Sequence, residues 1–250
     1  MSLLVSRTGA LVLVVYGLVS LAYLPTSNGL MKTVFERQGI PVSEAGLVTY
    51  DAPLWVYSVA FVVLLVALTY VGILAVRVFV AGERDTIPSA FYTRNIVRVF
   101  VNYVVGGLVF SIVLVLGTLL LVVPGIVAYV SFVFMVMFVA AEDENFVAAL
   151  RHSWKLASGE RLRIFALLVV LFVGMALVGG VVTMGLSILS VAGVLSRGAA
   201  SIVTSLVYMP LTLYFLAVVA AAYNQLRDEA DAADDSEWEF GVDELADGSD

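Results

Sequence analysis

The chain has no cysteine, one histidine, six prolines and only 13% charged residues in 250. Without thiols there is no disulfide framework, no thiolate nucleophile and no thiolate metal site. A lone histidine, His152, has no Cys or second His with which to share a metal. The sequence also lacks a G-x-S-x-G elbow, an H-E-x-x-H helix, a P-loop and a dinucleotide fingerprint. The shortage of charge excludes a soluble globular domain, in which about 25% of residues are charged and about 45–50% apolar. Here 62% are hydrophobic and the mean hydropathy is +1.05.

What the chain does have is long apolar runs. A bilayer core of about 30 Å needs about 20 apolar residues in a helix. Six runs meet or approach that length: 8–24, 53–76, 99–122, 124–141, 164–192 and 199–226. Unpaired amides are too costly in lipid, and the runs lack the alternation of a barrel, so they read as helices. The expected fold is all-α: a polytopic transmembrane bundle of about six spans, residues 1–227, followed by an acidic tail, residues 228–250. The first run also resembles a signal peptide, through Arg7 and the pair Ser20 and Ala22, but its apolar character continues to Pro25, which favours a retained span. The fifth run fits either one tilted helix or a span followed by a short external segment. Gly193 and Pro210 are expected bending points.

No Asp, Glu, Lys or Arg falls in the middle of any run, although proton relays, voltage sensors and many coupled transporters use such groups. The net charge of −7 is unevenly placed. Asp228 to Asp250 hold 11 of the 20 acidic residues and no Lys or Arg, so the other nine acids oppose all 13 basic residues and the body carries +4. Ten of those basic residues fall on one side of the spans: Arg7, Arg77, Arg84, Arg94, Arg98, Arg151, Lys155, Arg161, Arg163 and Arg227. Lys32, Arg37 and Arg197 fall on the other. The positive-inside rule then places both termini in the cytoplasm.

Three connecting segments show helical order. In the outer one, Leu30, Met31, Val34 and Phe35 follow a candidate N-cap, Asn28, and precede the stop residues Gly39 and Pro41. On the inner side, a short amphipathic stretch covers 86–95 with Pro88 in its first turn. A longer one, 143–159, carries Phe146, Ala149, Leu150, Ser153, Trp154 and Ala157 on one stripe. Both suit interfacial helices, with Arg94, Arg98, Arg151, His152, Lys155, Arg161 and Arg163 as candidate headgroup contacts and Trp154 as an interfacial anchor. Glu142, Asp143 and Glu144 are expected to cap the longer helix, in preference to binding a cation. Pro124 and Gly125 read as a structural hinge between the third and fourth spans. Asn102 is a helix-packing residue or lines a polar path. Small residues at 176, 180, 217 and 221 would let helices pack closely, within the chain or in a homo-oligomer.

The run Val122-Val123-Pro124-Gly125-Ile126, the segment from Ala141 to Phe146, and Ala149 through Gly159 resemble a family of uncharacterised six-helix membrane proteins common in halophilic archaea. They are also similar to the membrane domain attached to some bacterial glycerophosphodiester phosphodiesterases. The resemblance is clearest over 86–170. It implies membrane residence; the phosphodiesterase activity belongs to a separate soluble domain for which this sequence has no counterpart.

No catalytic residue, metal ligand or cofactor site is expected. The favoured reading is a non-enzymatic membrane protein that organises lipids or binds a partner through its tail. The tail is acidic with interspersed aromatics and is expected to be disordered alone. A small-molecule or lipid transporter and an interfacial lipid-modifying enzyme are the alternatives. Nucleic acid is disfavoured, since the tail offers acids where phosphate binding needs basic patches.

Overall fold

A computed structural model describes residues 6–39 and 47–247, with side chains at 33, 37 and 233–247 outside the description. Its described elements are α1 (Arg7–Arg37), α2 (Leu54–Ala81), α3 (Ser89–Thr93), α4 (Ile96–Leu120), α5 (Val122–Phe132), α6 (Met135–Ala141), α7 (Phe146–Ala157), α8 (Arg161–Val191) and α9 (Arg197–Asp247). There is no strand among the described residues. Six helices are long and apolar enough to cross a membrane, with α5 and α6 together forming the fourth. The fold is therefore a polytopic helical bundle. Its two ends differ in chemistry. The end holding the C-terminus of α2 and the N-terminus of α8 gathers most of the cations and is called the basic end; the opposite one is the far end.

Several elements depart from the sequence expectations for physical reasons. The first span does not stop at Pro25, and no separate surface helix follows Asn28. Instead α1 runs unbroken to Arg37 with Pro25 inside it. The hydroxyls next to the proline engage that turn's carbonyls, Thr26 Oγ1 to Ala22 O at 2.9 Å and Ser27 Oγ to Leu24 O at 3.0 Å. Such side-chain bonds help a buried helix tolerate proline. Asn28 donates to Val48 O at 3.3 Å rather than capping. Gly39, at φ 73°, lies just past the end of α1, while Pro41 falls outside the described residues.

The fourth span is two helices, broken at Val133 and Phe134. The fifth is one continuous helix. It ends at Gly193, φ 75°, where the amide of Val194 donates to Leu189 O at 2.9 Å, a left-handed cap that suits glycine. Pro210 lies inside α9. The acidic segment follows directly on the last span, and α9 is bounded at Asp247.

The core sits towards the basic end. Along α2 the buried run is Val71 and then Ile73 through Phe79. It meets Met135, Met137, Val139 and Ala140 of α6 and Leu213, Ala220 and Tyr223 of α9. Helix α1 packs against both α2 and α9. The amphipathic helix α7 docks on this core instead of lying free in the interface. Ala149, Ser153 and Ala157 are fully buried, and Ser153 Oγ donates to Ser131 O at 2.8 Å. The stripe with helical spacing was visible in sequence; that protein rather than lipid covers it was not.

Close approaches use particular glycines. At the turn from α4 to α5, a β-carbon on Gly125 would collide with Thr118, and one on Gly117 would lie 3.2 Å from the Gly125 backbone. Pro124 stands in the first turn of α5, where a missing N–H leaves no bond unmade. Between α8 and α9 the tyrosine ring of Tyr208 covers Gly179, while Gly174 and Gly180 face open space. The intrachain contact thus falls on Gly179 and not on the Ala176 to Gly180 stripe, both ends of which are exposed.

Candidate functional site

Arg77 is the largest fully buried side chain among the described residues, 2% exposed. A guanidinium brings five N–H donors, and burying it without partners would be prohibitive. The fold meets that demand with four acceptors from α3, α6 and the turns that follow them. Nε donates to Ala140 O of α6 at 2.7 Å, one terminal nitrogen to Phe91 O of α3 at 2.6 Å, and the other to Arg94 O and to Asp143 Oδ1, each at 2.8 Å. Asp143 in turn pairs with Arg94 Nε at 2.8 Å and accepts from Asn95 Nδ2 at 2.9 Å. Arg94 closes the ring by donating to Ala141 O at 2.5 Å.

Asn95 and Asp143, which bond each other, are the two described non-glycine residues in the left-handed region, at φ 48° and 58°. Asn and Asp tolerate that conformation best because short polar side chains can bond locally. The backbone turn that aims each side chain into the cluster therefore selects these two residue types. The sequence reading counted Arg77 only as a topology-setting cation. Its one local signal is position: it sits inside an apolar run, with Val76 before it and Val78, Phe79 and Val80 after it.

The acidic triplet does not cap α7. That role falls to Asn145, whose Oδ1 accepts from the amide of Ala148 at 2.9 Å. The three carboxylates diverge to separate partners. Glu142 accepts from Arg227 at 2.6 Å and from the hydroxyl of Tyr223, both on α9. Asp143 serves Arg77 and Arg94. Glu144 bonds His152 Nδ1 at 2.7 Å, and the histidine ring lies edge-on to Phe138. A single metal or a paired-carboxylate reaction would need them convergent. Among the described residues no group of three or more His, Asp or Glu side chains is placed to hold a metal ion.

Asn102 links two elements. Its Nδ2 donates to Arg98 O at 2.8 Å and its Oδ1 accepts from the amide of Phe146 at 3.0 Å, so α4 supplies a partner for the first turn of α7. On the other flank, Asn224 of α9 donates to Val80 O of α2 at 2.8 Å. Thr8 of α1 donates through Oγ1 to Glu83 O at 2.6 Å and through its amide to Arg84 O at 3.3 Å. Arg163 pairs with Glu229 at 3.1 Å, joining α8 to α9.

The candidate headgroup residues thus separate into two sets. Arg94, His152 and Arg163 are engaged in bonds within the chain. Arg98, Arg151, Lys155 and Arg161 make no ion pair with any described residue. Trp154, 43% exposed, packs on Phe132 with ring centroids 5.5 Å apart and carries the Arg161 guanidinium 4.2 Å above its ring. Beside the cluster a cavity of about 450 Å³ is lined by His152, Lys155, Glu142, Arg227, Glu229 and Asp231 among others.

The arrangement is a ring of interlocking polar bonds, and four further cations at the same end of the bundle make no ion pair with any described residue. No curated protein and no solved structure matches this chain. A family model, described as a domain of unknown function (DUF7847), matches residues 1–226. The chain accordingly belongs to the DUF7847 family.

Proposed function

We propose that the protein is a non-enzymatic organiser at the cell membrane, its basic end facing the cytoplasm with both termini, and its α9 extension binding a protein partner. The observation that carries this reading is the divergence of Glu142, Asp143 and Glu144 to three separate structural partners. Carboxylates committed one by one to Arg227, Arg77 with Arg94, and His152 favour a fixed platform over acid–base chemistry. The excess of Lys and Arg at that end supports the cytoplasmic orientation. The four candidate cations that make no ion pair with any described residue support contact with lipid headgroups, and the acidic α9 extension supports a partner with a basic rim. The likeness to membrane domains attached to phosphodiesterases, and to proteins of halophilic archaea, supports membrane residence and brings no activity with it.

The test uses photo-crosslinkers at Arg151 and within residues 228–247 of the full chain in cells. A single protein should be captured at the extension, recovered again when that protein is the bait, and lost when residues 228–250 are deleted. Recovery of the chain alone from both positions, with an unchanged profile after deletion, overturns the reading.

A further inference from the structure

A second feature lies away from the polar cluster, on the face where the α4–α5 hairpin meets α8. An apolar cavity of about 290 Å³ opens there, lined by Leu114 and Thr118 of α4, Ile126 and Tyr129 of α5, and Phe165 and Phe172 of α8, with further apolar neighbours. Its α8 wall is a stripe at helical spacing, and one turn before Phe165 on that face stands Arg161. Its α5 wall continues one turn past Tyr129 to Phe132, the ring on which Trp154 packs. Trp154 thus touches Phe132 on one side and Arg161 on the other, each about one turn beyond a residue that lines the cavity.

Arg161 Nε is buried and has no hydrogen-bond partner among the described residues. Its neighbouring acid does not serve it: Glu160 lies 3.9 Å from Arg163. A buried N–H without an acceptor asks for one, and the planar guanidinium fork matches the oxygens of a phosphate or a carboxylate. From Arg161 to Phe172 is about 16 Å along the helix at 1.5 Å per residue, a distance that an extended hydrocarbon chain covers.

We propose that this groove binds an anionic phospholipid, with its phosphate on Arg161 beside Trp154 and one hydrocarbon chain along Phe165, Tyr129 and Phe172. Charge complementarity chooses the occupant. A soluble phosphate would leave the apolar walls uncovered, and a zwitterionic lipid would bring its own cation to the guanidinium. The proposal deepens the reading of the basic end as a headgroup surface and rests on its orientation, but not on the protein partner.

The experiment is native mass spectrometry of the full chain released from nanodiscs containing phosphatidylglycerol and phosphatidylcholine with identical chains. The wild type should retain phosphatidylglycerol about ten-fold more than phosphatidylcholine, the scale of one charge-assisted contact. Arg161→Gln should reduce that ratio to within about two-fold, Val169→Trp should reduce retention of both lipids by filling the groove, and Arg84→Gln, an exposed cation at the same end outside the proposed headgroup contacts, should change neither. An unchanged ratio in Arg161→Gln overturns the proposal, as does an equal loss in Arg84→Gln, which would mean diffuse attraction. Displacement by soluble glycerol phosphate as effective as by lipid overturns it too.

A second readout guards against misfolding of the groove variants. In a Trp55→Phe, Trp238→Phe background, chain-brominated phosphatidylglycerol should quench Trp154 more than brominated phosphatidylcholine, and equal quenching defeats the idea. If the lipid preference fails while partner capture at residues 228–247 persists, only this inference falls. If capture fails while the preference persists, the organiser reading falls alone.

Discussion

At the basic end, Arg77, Asp143, Arg94, Asn95, Glu142, Tyr223 and Arg227 tie α2 and α9 to the turns that join α3 to α4 and α6 to α7. At the far end, Leu119, Leu120 and Val191 are 77%, 78% and 87% exposed and close on nothing. The helices are similarly apolar throughout, so apolar content does not explain why one end is knitted and the other open. Solvent does. Lipid tails are as apolar as leucine, and apolar side chains gain little by leaving them for each other. Polar groups and close backbone contacts supply the adhesion, and here most of the polar groups sit at one end.

The largest test of this contrast is Asp143→Ala. It leaves Arg77 buried without its carboxylate and removes a partner from Arg94 and Asn95. Breaking a buried pair from one side costs about 3–5 kcal/mol, so unfolding in mixed micelles should shift by that scale. Replacing both members by apolar residues, Arg77→Met with Asp143→Leu, should recover part of the loss, because no uncompensated charge remains. A shift below about 1 kcal/mol for Asp143→Ala would mean that the cluster does not hold the basic end.

Gly125→Ala comes next, and it probes a tight backbone contact outside that cluster. A β-carbon there would collide with Thr118 across the turn, and overpacking costs about 1–3 kcal/mol. Gly107→Ala, where nothing lies within 4 Å, is the matched control and should be neutral or slightly stabilising through helix propensity. Equal effects at the two sites would remove the special status of the α4–α5 turn. Asn102→Leu ranks third. It deletes an acceptor for the amide of Phe146, and inter-helix bonds within membrane proteins average about 0.6 kcal/mol. Faster amide exchange at Phe146 and Val147 would report it more sensitively than global unfolding.

These comparisons also explain what was legible in the sequence. The helical class and the six-helix count were readable, because charge-free runs of about 20 residues have few other solutions. Residue type drew attention to Pro124 and Gly125, but the break between the two helices falls at Leu121, and both residues lie inside α5. The polar cluster was not readable, since its members lie as far apart as Arg77, Asp143 and Arg227 and are united only by packing. Local rules assigned the acidic triplet to capping because acids before a helix usually act there. Asn145 sits nearer in register and takes that place. The span boundary at Pro25 was misplaced for a similar reason: proline is a reliable stop in water, but neighbouring hydroxyls carry it through a buried helix.

The smallest predicted effect is the most discriminating for the contrast itself. Leu119→Ala removes most of a side chain that is 77% exposed. If the far end owed its arrangement to apolar contacts, deleting this leucine would cost about 2–5 kcal/mol, as in a soluble core. If lipid already solvates it, the change should stay within about 0.5 kcal/mol, the range of substitutions that touch little. The same substitution on α2, Leu74→Ala, is the internal reference: Leu74 is 6% exposed and packs within the bundle, so its loss leaves a cavity that lipid cannot fill. Measured side by side in one bilayer composition, a cost at position 74 several times that at 119 would locate the stability of this fold at its basic end. Equal costs would require the far end to be covered, and a second copy of the chain would then be the first candidate to look for by crosslinking.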